Sequence, residues 1–284
     1  MILVTGGSGQ LGSAFRRLLP GASFPSRRQL DLTQPGTIGE AVAALAPTSI
    51  INCAAYTVVD EAEDDEEMAF AVNAVSVGVL ARLAAERSLP FVTFSSDYVF
   101  DGRGDRPYVE SDPTSPANAY GRSKEAGEQL ALEAHPGALV VRSSWLISAT
   151  HPNFVDTILR LAGEGAGELR VVDDQFGCPT IADDLAGAVL GAVDAETTGL
   201  LHLTNQGETT WFGLARAAVG FAGLNPERVV PVSSAEYPRR AARPAYSVLR
   251  SERLAGLGLD PLPPWEASLL PLVAGLQRLR SQRR

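Results

Sequence analysis

A glycine-rich turn near the start of the chain constrains the fold more than any other segment. It lies between the short apolar run Ile2–Thr5 and a helical pattern that extends to Leu19, and it has the spacing Gly-x-Gly-x-x-Gly. Glycine at these positions allows a tight turn and lets backbone N–H groups approach a pyrophosphate, which the N-terminus of the following helix attracts. The segment therefore predicts a strand–turn–helix unit that binds a dinucleotide. The expected contacts are Gly6, Gly9, Gln10, Leu11 and Gly12.

Short apolar runs and helical patterns alternate along most of the chain. This alternation is typical of a parallel sheet covered by helices on both faces. We therefore predict an α/β fold, a Rossmann-type doubly wound parallel sheet with a smaller C-terminal substrate lobe. The dinucleotide-binding domain is expected over residues 1–147 and about 168–205, and the lobe over about 148–167 and 206–284. The predicted strands are residues 2–5, 22–24, 49–53, 91–95, 139–142, 169–172 and 200–203, and the predicted helices are residues 38–45, 64–86, 119–134, 182–193 and 211–222.

The net charge and composition exclude several classes of partner. The formal charge is -9 at pH 7, with 45% hydrophobic and 20% charged residues. An acidic chain repels nucleic acid and anionic membranes, so we expect neither as a partner. Cys53 and Cys178 are far apart and the three histidines have no ligand spacing, so neither a disulfide framework nor a metal site is predicted. We expect a cytoplasmic protein, because the chain opens directly on a strand and has no signal-peptide pattern.

The segment after the predicted strand at residues 22–24 bears on the choice of cofactor. An acidic residue there would bind a ribose 2′-hydroxyl, but the strand runs into Pro25-Ser26-Arg27-Arg28. Arginine at such a position favours a 2′-phosphate. We therefore predict NADPH, with Ser26 and Arg27 as phosphate contacts and with Asp31 and Leu32 near the adenine. NADH as a second cofactor stays open, as does the alternative that the arginines are ordinary surface charge.

Tyr120 and Lys124 are four residues apart in a predicted helix, which puts both side chains on one face. Lys124 is the only lysine of the chain, which otherwise uses arginine for positive charge. A nearby ammonium lowers the pKa of a phenol and also donates to a sugar hydroxyl. Ser96 ends a predicted strand, at the edge of the sheet where open α/β folds bind ligands. The three residues predict a ketone-reducing site, in which Ser96 binds the carbonyl oxygen, Tyr120 protonates it, and Lys124 keeps the phenol acidic and holds the cofactor ribose.

Eight stretches spread over the chain resemble the extended short-chain dehydrogenase/reductase family, and within it the dTDP-4-dehydrorhamnose reductases. Two of them are the most specific to that group: Ser-Ser-Asp-Tyr-Val-Phe-Asp-Gly at residues 95–102 and Asp-Asp-Gln-Phe-Gly-Cys-Pro-Thr at residues 173–180. The glycine-rich turn and the Tyr-x-x-x-Lys pair are shared by the wider family. The eight stretches are residues 5–12, 30–33, 52–60, 95–102, 120–124, 142–145, 173–180 and 243–249.

The resemblance implies NADPH-dependent reduction of the C4 ketone of a dTDP-sugar, dTDP-4-dehydro-L-rhamnose. It implies no metal, because residues 13–17 lack the acidic side chains that some family members use. Two positions depart from the family pattern: Ser96 replaces the usual threonine, and Arg250 stands where an acid often follows. The implied cofactor contacts include Ala54, Ala55, Tyr56 and Asn73, and the implied substrate contacts are Thr57, Val59, Ser96, Asp97, Tyr98, Trp145 and Arg243.

Several other functions stay open at this level. A 4,6-dehydratase of the same superfamily carries an Asp-Glu pair after the serine or threonine, as acid and base for loss of water. The pair here is Asp97-Tyr98, which disfavours dehydration. Another sugar-nucleotide 4-ketoreductase or an epimerase would use the same three residues. A non-catalytic regulatory subunit, resembling that of methionine adenosyltransferase, would need none of them. A homodimer also stays open.

Overall fold

Five parallel strands form the central sheet of the computed structural model, which describes residues 1–165 and 167–283. The predicted strand at residues 22–24 adds only a single bridge, between Ser23 and Leu3. That prediction was wrong in extent, because Pro25 has no N–H to continue the ladder. Ala166 and Arg284, both in the predicted lobe, lie outside the described residues. In sheet order the five strands are β1 (Ile2–Thr5), β2 (Ser49–Asn52), β3 (Phe91–Ser96), β4 (Leu139–Ser143) and β9 (Gly199–His202).

Helices cover both faces of this sheet. On one face, α1 (Gln10–Leu18) and α7 (Ala182–Asp194) pack on the strands through an apolar cluster. On the other, α2 (Ile38–Leu45), α4 (Ser76–Glu86) and α5 (Ala119–Ala134) form a second cluster. Strands buried on both faces are continuously apolar instead of alternating, which is why short apolar runs predicted them. The predicted fold class, a doubly wound parallel sheet, is confirmed.

The predicted helix over residues 64–86 is divided into three parts. They are α3 (Glu66–Phe70), a π-helical turn at Ala71–Val75, and α4. The acidic residues before it suit the positive end of the helix dipole, and Asp65 caps α3 by accepting from Met68 N at 3.2 Å. By length and hydropathy the span Glu66–Glu86 could cross a bilayer, but 56% of its most apolar 18-residue stretch is buried inside the fold. That burial is expected of a core helix that packs on the sheet and against α5.

Short strand pairs and helices build the C-terminal lobe. The strand at residues 169–172 was predicted in the dinucleotide-binding domain, but it pairs with a lobe strand at residues 229–232. The pair is separate from the five-stranded sheet, which the sequence could not show because a short apolar run predicts a strand without predicting its partner. The strand pairs are β5 (Leu146–Ile147) with β8 (Thr180–Ile181), β6 (Leu169–Val172) with β11 (Val229–Val232) and β7 (Phe176–Gly177) with β10 (Thr209–Thr210), and the helices are α6 (Phe154–Glu164), α8 (Trp211–Phe221), α9 (Leu254–Leu257) and α10 (Trp265–Arg283).

Candidate active site

A cleft of about 1200 Å³ lies at the carboxyl ends of the central strands, beside the lobe. This is the position where open α/β folds bind ligands. Every predicted site residue lines the cleft except Gly12, Asn73 and Arg243. Those that line it are Gly6, Gly9, Gln10, Leu11, Ser26, Arg27, Asp31, Leu32, Ala54, Ala55, Tyr56, Thr57, Val59, Ser96, Asp97, Tyr98, Tyr120, Lys124 and Trp145.

The glycine-rich turn forms a backbone cradle that side chains would fill. Gly6 has a φ of +64°, in the left-handed region that favours glycine, and a Cβ there would lie 2.6 Å from Ala54 N. A Cβ on Gly12 would overlap the Gly6 carbonyl oxygen. Gly9 caps α1 without a side-chain hydrogen bond, which leaves the first-turn N–H groups to an anion. This arrangement fits the pyrophosphate of a dinucleotide.

Two buried oxygens in the cleft wall also fit a ligand with hydroxyl groups. Gln10 Nε2 donates to Leu146 O at 3.2 Å, while Gln10 Oε1 finds no donor within the described part of the chain. The hydroxyl of Ser95 is likewise without a partner among those residues. A buried polar atom left without a hydrogen bond destabilises a protein by about 1–3 kcal/mol. A bound cofactor that supplies these hydrogen bonds would remove that cost.

Arg27 and Asp31 lie where the adenosine end of the cofactor is expected, and they contact each other. Arg27 Nε is 3.4 Å from Asp31 Oδ1. Asp31 accepts from the hydroxyl of Thr33 at 2.7 Å and from its N–H at 2.9 Å, and these bonds lower the pKa of the carboxyl. Ser26 donates to Gln29 Oε1. The Arg27 side chain is 74% exposed, so it is free to turn towards a phosphate.

Arg16 is a second cation at this end of the cleft, and the sequence reasoning missed it. Its guanidinium carbon lies 4.2 Å from the centre of the Phe24 ring, and Nη2 donates to Gly7 O at 3.4 Å. The residue lies one turn beyond Gly12 in α1. That helical spacing after the glycine motif was the signal that could have found it.

Asn73 stands behind the cofactor cleft and does not line it. Its Oδ1 accepts from Tyr56 N at 2.8 Å, and its Nδ2 donates to Tyr56 O at 2.9 Å and to Ser123 Oγ at 3.0 Å. The π-helical turn that contains it is a local widening of the helix, often found at functional sites. Asn73 holds the loop after β2 that carries Ala54 and Ala55, and its direct contact with a cofactor stays a prediction.

Ser96, Tyr120 and Lys124 come together at the edge of the sheet. Ser96 ends β3 and accepts from Tyr98 N at 3.2 Å, which starts a short 3₁₀ turn. Asn118 caps α5 by accepting from Gly121 N at 2.8 Å, so Tyr120 stands in the first turn of that helix. All three side chains line the same cleft. The predicted trio is therefore brought together by one strand end and one helix start.

The electrostatics of this trio differ from the expectation in one respect. Lys124 Nζ donates to Phe94 O at 2.6 Å, and burial lowers the pKa of this amine to about 8. Burial raises the pKa of Tyr120 to about 12, and the hydroxyl of Ser96 offsets part of that rise. The expected lowering of the phenol pKa by Lys124 is not seen: burial dominates, and the amine has no resolved effect on the phenol.

Asp97 is buried behind Ser96 and receives hydrogen bonds from both parts of the fold. Its Oδ1 accepts from Ser96 Oγ at 2.8 Å, and its Oδ2 accepts from Ser247 Oγ at 2.6 Å. Burial raises the pKa of this carboxyl to about 6, and the two hydroxyls oppose the rise. Ser247 lies in the stretch at residues 243–249 that carries the family resemblance, but it was not predicted as a site residue, because the sequence does not show which side chain it meets.

Two stacked tryptophans form an aromatic wall of the cleft. The ring centroids of Trp145 and Trp211 are 3.7 Å apart, with an interplanar angle of 11°. Trp145 has a φ of +45°, a conformation that costs a residue other than glycine about 1–2 kcal/mol. Gly177 packs against its ring, where a Cβ would lie 2.5 Å from Cε2. The packing holds a strained backbone in place, which is typical of functional sites. Trp211 was missed.

Arg243 does not line the cleft, and its expected contact with substrate stays a prediction. Its Nη2 lies 2.9 Å from Asp60 Oδ2, and Ala241 N donates to Asp60 Oδ1 at 3.1 Å. The guanidinium carbon is 6.0 Å from the centre of the Tyr98 ring. Arg243 therefore ties the lobe to the loop after β2. Among residues 1–165 and 167–283, no group of three or more His, Cys, Asp or Glu side chains is arranged to hold a metal ion.

Comparison with known proteins identifies the family. A family model described as the RmlD substrate binding domain matches residues 1–278. A dTDP-4-dehydrorhamnose reductase of Burkholderia thailandensis is 43% identical and aligns over 93% of this chain and 95% of its own. A probable dTDP-4,6-dihydroxy-2-methyloxan-3-one 4-ketoreductase of Streptomyces antibioticus is 41% identical over 94% of this chain and 92% of its own. The crystal structure of dTDP-4-dehydrorhamnose reductase from Bacillus anthracis in complex with NADP has a TM-score of 0.91 and 35% identity, covering 95% of this chain and 97% of its own. The chain belongs to the family of the RmlD substrate binding domain, that of the dTDP-4-dehydrorhamnose reductases, as the resemblance predicted.

Proposed function

We propose that this protein reduces the C4 ketone of dTDP-4-dehydro-L-rhamnose to dTDP-L-rhamnose with NADPH. The observation that carries the proposal is that Ser96, Tyr120 and Lys124 line the same cleft as the glycine-rich turn. A relative of that name at 43% identity and a related structure in complex with NADP support it. The reaction is a carbonyl reduction in which the protein supplies the proton.

The residues that would hold NADPH follow the length of the cleft. The glycine-rich turn and the start of α1 bind the pyrophosphate through N–H groups. Arg27 and Arg16 provide positive charge for the 2′-phosphate. Lys124, whose amine is held at the Phe94 carbonyl, has further N–H groups to donate to a ribose hydroxyl. When bound, NADPH supplies the hydride that reduces the carbonyl carbon.

Tyr120 acts as the general acid. A phenol with a pKa of about 12 stays protonated at neutral pH and gives up its proton only to a strong base. The oxygen of a ketone becomes such a base as negative charge develops on it during reduction. Ser96, which lines the same cleft, would orient the carbonyl. The high pKa of Tyr120 therefore suits a group that protonates an alkoxide and that leaves the unreacted ketone alone.

The other side of the cleft would hold the sugar nucleotide. Thr57 and Val59 lie on the loop after β2, and Tyr98 lies on the turn after β3. Trp145, fixed by its stacking on Trp211, offers a flat apolar surface to the C–H face of a 6-deoxy sugar. These contacts would place the C4 carbonyl next to Tyr120. Steric and polar selection among sugars would come from this wall.

A second candidate is 4-ketoreduction of another dTDP-deoxysugar, which the Streptomyces antibioticus relative favours. An epimerase would use the same three residues with a cofactor regenerated in each turnover. The regulatory-subunit alternative has less support, because such a protein has no need of an assembled trio of Ser96, Tyr120 and Lys124.

NADPH oxidation with enzymatically generated dTDP-4-dehydro-L-rhamnose tests the proposal, with NADH in parallel and the C5 epimer of the keto-sugar as the matched control. Turnover of the L-rhamno substrate, with dTDP-L-rhamnose identified by NMR, supports it. Preference for the epimer moves the assignment to the second candidate. Tight NADPH binding without oxidation of either sugar favours the regulatory role.

Assembly and location belong to the same proposal as separate expectations. Light scattering on the purified protein distinguishes one copy from two. A fully active single copy would show that the expected homodimer is unnecessary for turnover. A cytoplasmic location stays a prediction, and fractionation of cells that express the chain checks it.

A further inference from the structure

One short segment of the lobe, residues 241–247, is hydrogen-bonded to two loops at the edge of the central sheet. Ala241 N donates to Asp60 Oδ1 at 3.1 Å, on the loop after β2. Ser247 Oγ donates to Asp97 Oδ2 at 2.6 Å, on the turn after β3. Both loops also carry residues expected to contact substrate. The segment therefore holds the lobe against the part of the sheet edge where the sugar nucleotide is expected.

Asn118 gives the same segment a third contact, from the start of the helix that carries Tyr120. Asn118 Nδ2 donates to Ala242 O at 2.8 Å, and Asn118 Oδ1 accepts from Gly121 N at 2.8 Å. A carbonyl only accepts and an N–H only donates, so the two partners fix the orientation of the amide. Asn118 is 2% exposed. One buried side chain therefore caps α5 and joins it to the lobe.

Other contacts fix the first turn of α5 against the central sheet. Glu63 Oε1 accepts from the N–H of the first helical residue at 2.7 Å. A Cβ on Gly121 would lie 2.1 Å from Tyr98 O, so the helix backbone packs directly on the turn after β3. The rings of Tyr98 and Tyr120 meet edge to face, with centroids 5.5 Å apart. These contacts place Tyr120 relative to the sheet, whereas the bond from Asn118 places it relative to the lobe.

We propose that Asn118 is a positioning residue of the reduction, which through Ala242 sets the position of the lobe relative to the phenol of Tyr120. The inference rests on the proposed function and deepens it, because the sugar nucleotide is expected between the sheet and the lobe. A general acid must lie about 2.6–3.2 Å from the atom that it protonates. A displacement of about 1 Å therefore lowers the rate by up to about 10²-fold.

The same side chain also stabilises the helix as a cap, and substitutions separate the two uses. Aspartate and serine cap helices about as well as asparagine does. An ionised aspartate has no N–H or O–H to donate, and the hydroxyl of serine is one bond closer to the backbone than the amide nitrogen. Asn118→Asp and Asn118→Ser therefore remove the contact with the lobe and keep the cap. Asn118→Ala removes both.

All three variants should lower kcat with dTDP-4-dehydro-L-rhamnose about tenfold, with KM for this substrate and Kd for NADPH changed less than about twofold. The solvent deuterium isotope effect on kcat should rise in each, because a displaced acid slows proton transfer. Asn118→Ala should unfold at a lower urea concentration than the other two, since it alone loses the cap. A fall in kcat confined to Asn118→Ala, or no fall in any variant, would overturn the proposal.

A double-mutant cycle tests whether Asn118 acts through the lobe segment. Asp60 holds the same segment through Ala241 N and the guanidinium of Arg243. Asp60→Ala should lower kcat by a similar factor. The double variant with Asn118→Ser should then fall no more than about threefold below the slower single variant, because the segment is already released. Losses that multiply, or no loss in Asp60→Ala, would refute the part of the segment.

Asn225→Asp is the matched control. Asn225 also caps a helical turn in the lobe, where it accepts from Glu227 N at 3.0 Å, and it does not line the cleft. The control should leave kcat and the isotope effect unchanged, and a fall equal to that of Asn118→Asp would overturn the proposal. Unchanged Asn118 variants beside an active wild type refute the positioning role alone. A wild-type chain that reduces no keto-sugar nucleotide refutes the proposed function, and the positioning role with it.

Discussion

Replacement of Gly12 by alanine has two opposing effects on stability. The added Cβ crowds the glycine-rich turn, while helices in general favour alanine over glycine. Gly12 is the third residue of α1. A Cβ at this position would overlap the Gly6 carbonyl oxygen and lie 2.7 Å from Gly7 Cα, below the 3.0 Å that real Cβ contacts respect. Both neighbours are backbone atoms, so the turn itself must move.

Two opposing terms set the size of the effect. Alanine is favoured over glycine inside a helix by about 1 kcal/mol. Overpacking against atoms that cannot rotate away costs about 1–3 kcal/mol, and contact with backbone places this case at the upper end. We therefore expect Gly12→Ala to lower the free energy of unfolding by about 2 kcal/mol. Displacement of the turn should also weaken NADPH binding by about tenfold or more, because the pyrophosphate is bound by N–H groups of this turn.

Gly187→Ala is the matched control, because Gly187 lies inside α7 and an added Cβ meets nothing within 4 Å. At Gly187 only the preference of helices for alanine acts. The variant should therefore be more stable by up to about 1 kcal/mol, and its affinity for NADPH should be unchanged. Urea unfolding gives the first quantity and fluorescence titration with NADPH gives the second. If Gly12→Ala bound NADPH as tightly as the Gly187 variant, the assignment of the cradle to the pyrophosphate would be refuted.

Three further variants test other parts of the account. Arg27→Ala should weaken NADPH about tenfold and NADH less than twofold in fluorescence titrations, and equal losses would remove the 2′-phosphate assignment. Glu128→Gln breaks the buried ion pair with Arg142 and should destabilise the fold by roughly 3–5 kcal/mol in urea, whereas loss of the exposed Glu66 pair should cost less than about 1 kcal/mol. Burial lowers the pKa of His202 from 6.5 to about 4, so the unfolded chain binds the extra proton between those values. Stability should therefore fall as pH drops from 6.5 towards 4, and His202→Asn should flatten that slope; an unchanged slope would contradict it.

The parts of the site that the sequence predicted are those built from local motifs. The glycine-rich turn, the end of β3 and the Tyr120–Lys124 spacing each depend on a few consecutive residues, whose backbone conformation and facing follow from helix and strand geometry. Their meeting in one cleft then follows from parallel strands, since successive strands end at the same edge of the sheet. The fold class was predictable for the same reason.

The remainder depends on contacts between residues far apart in the chain. Ser247 is distant in sequence from Asp97, and only the folded lobe brings the two together. The pairing of β6 with β11 and the ion pair between Arg243 and Asp60 are of the same kind. The pKa of Tyr120 also depends on burial, which opposes the effect expected from a nearby amine. None of these features is a property of a short sequence window.

Tyr120→Phe tests whether Tyr120 is the proton donor of a carbonyl reduction, when kcat with dTDP-4-dehydro-L-rhamnose is measured together with NADPH affinity. We expect kcat to fall roughly 10²–10⁴-fold with the dissociation constant for NADPH nearly unchanged, because only the hydroxyl that donates the proton is removed. Turnover that survives the substitution, or that is lost only in proportion to cofactor binding, would contradict it.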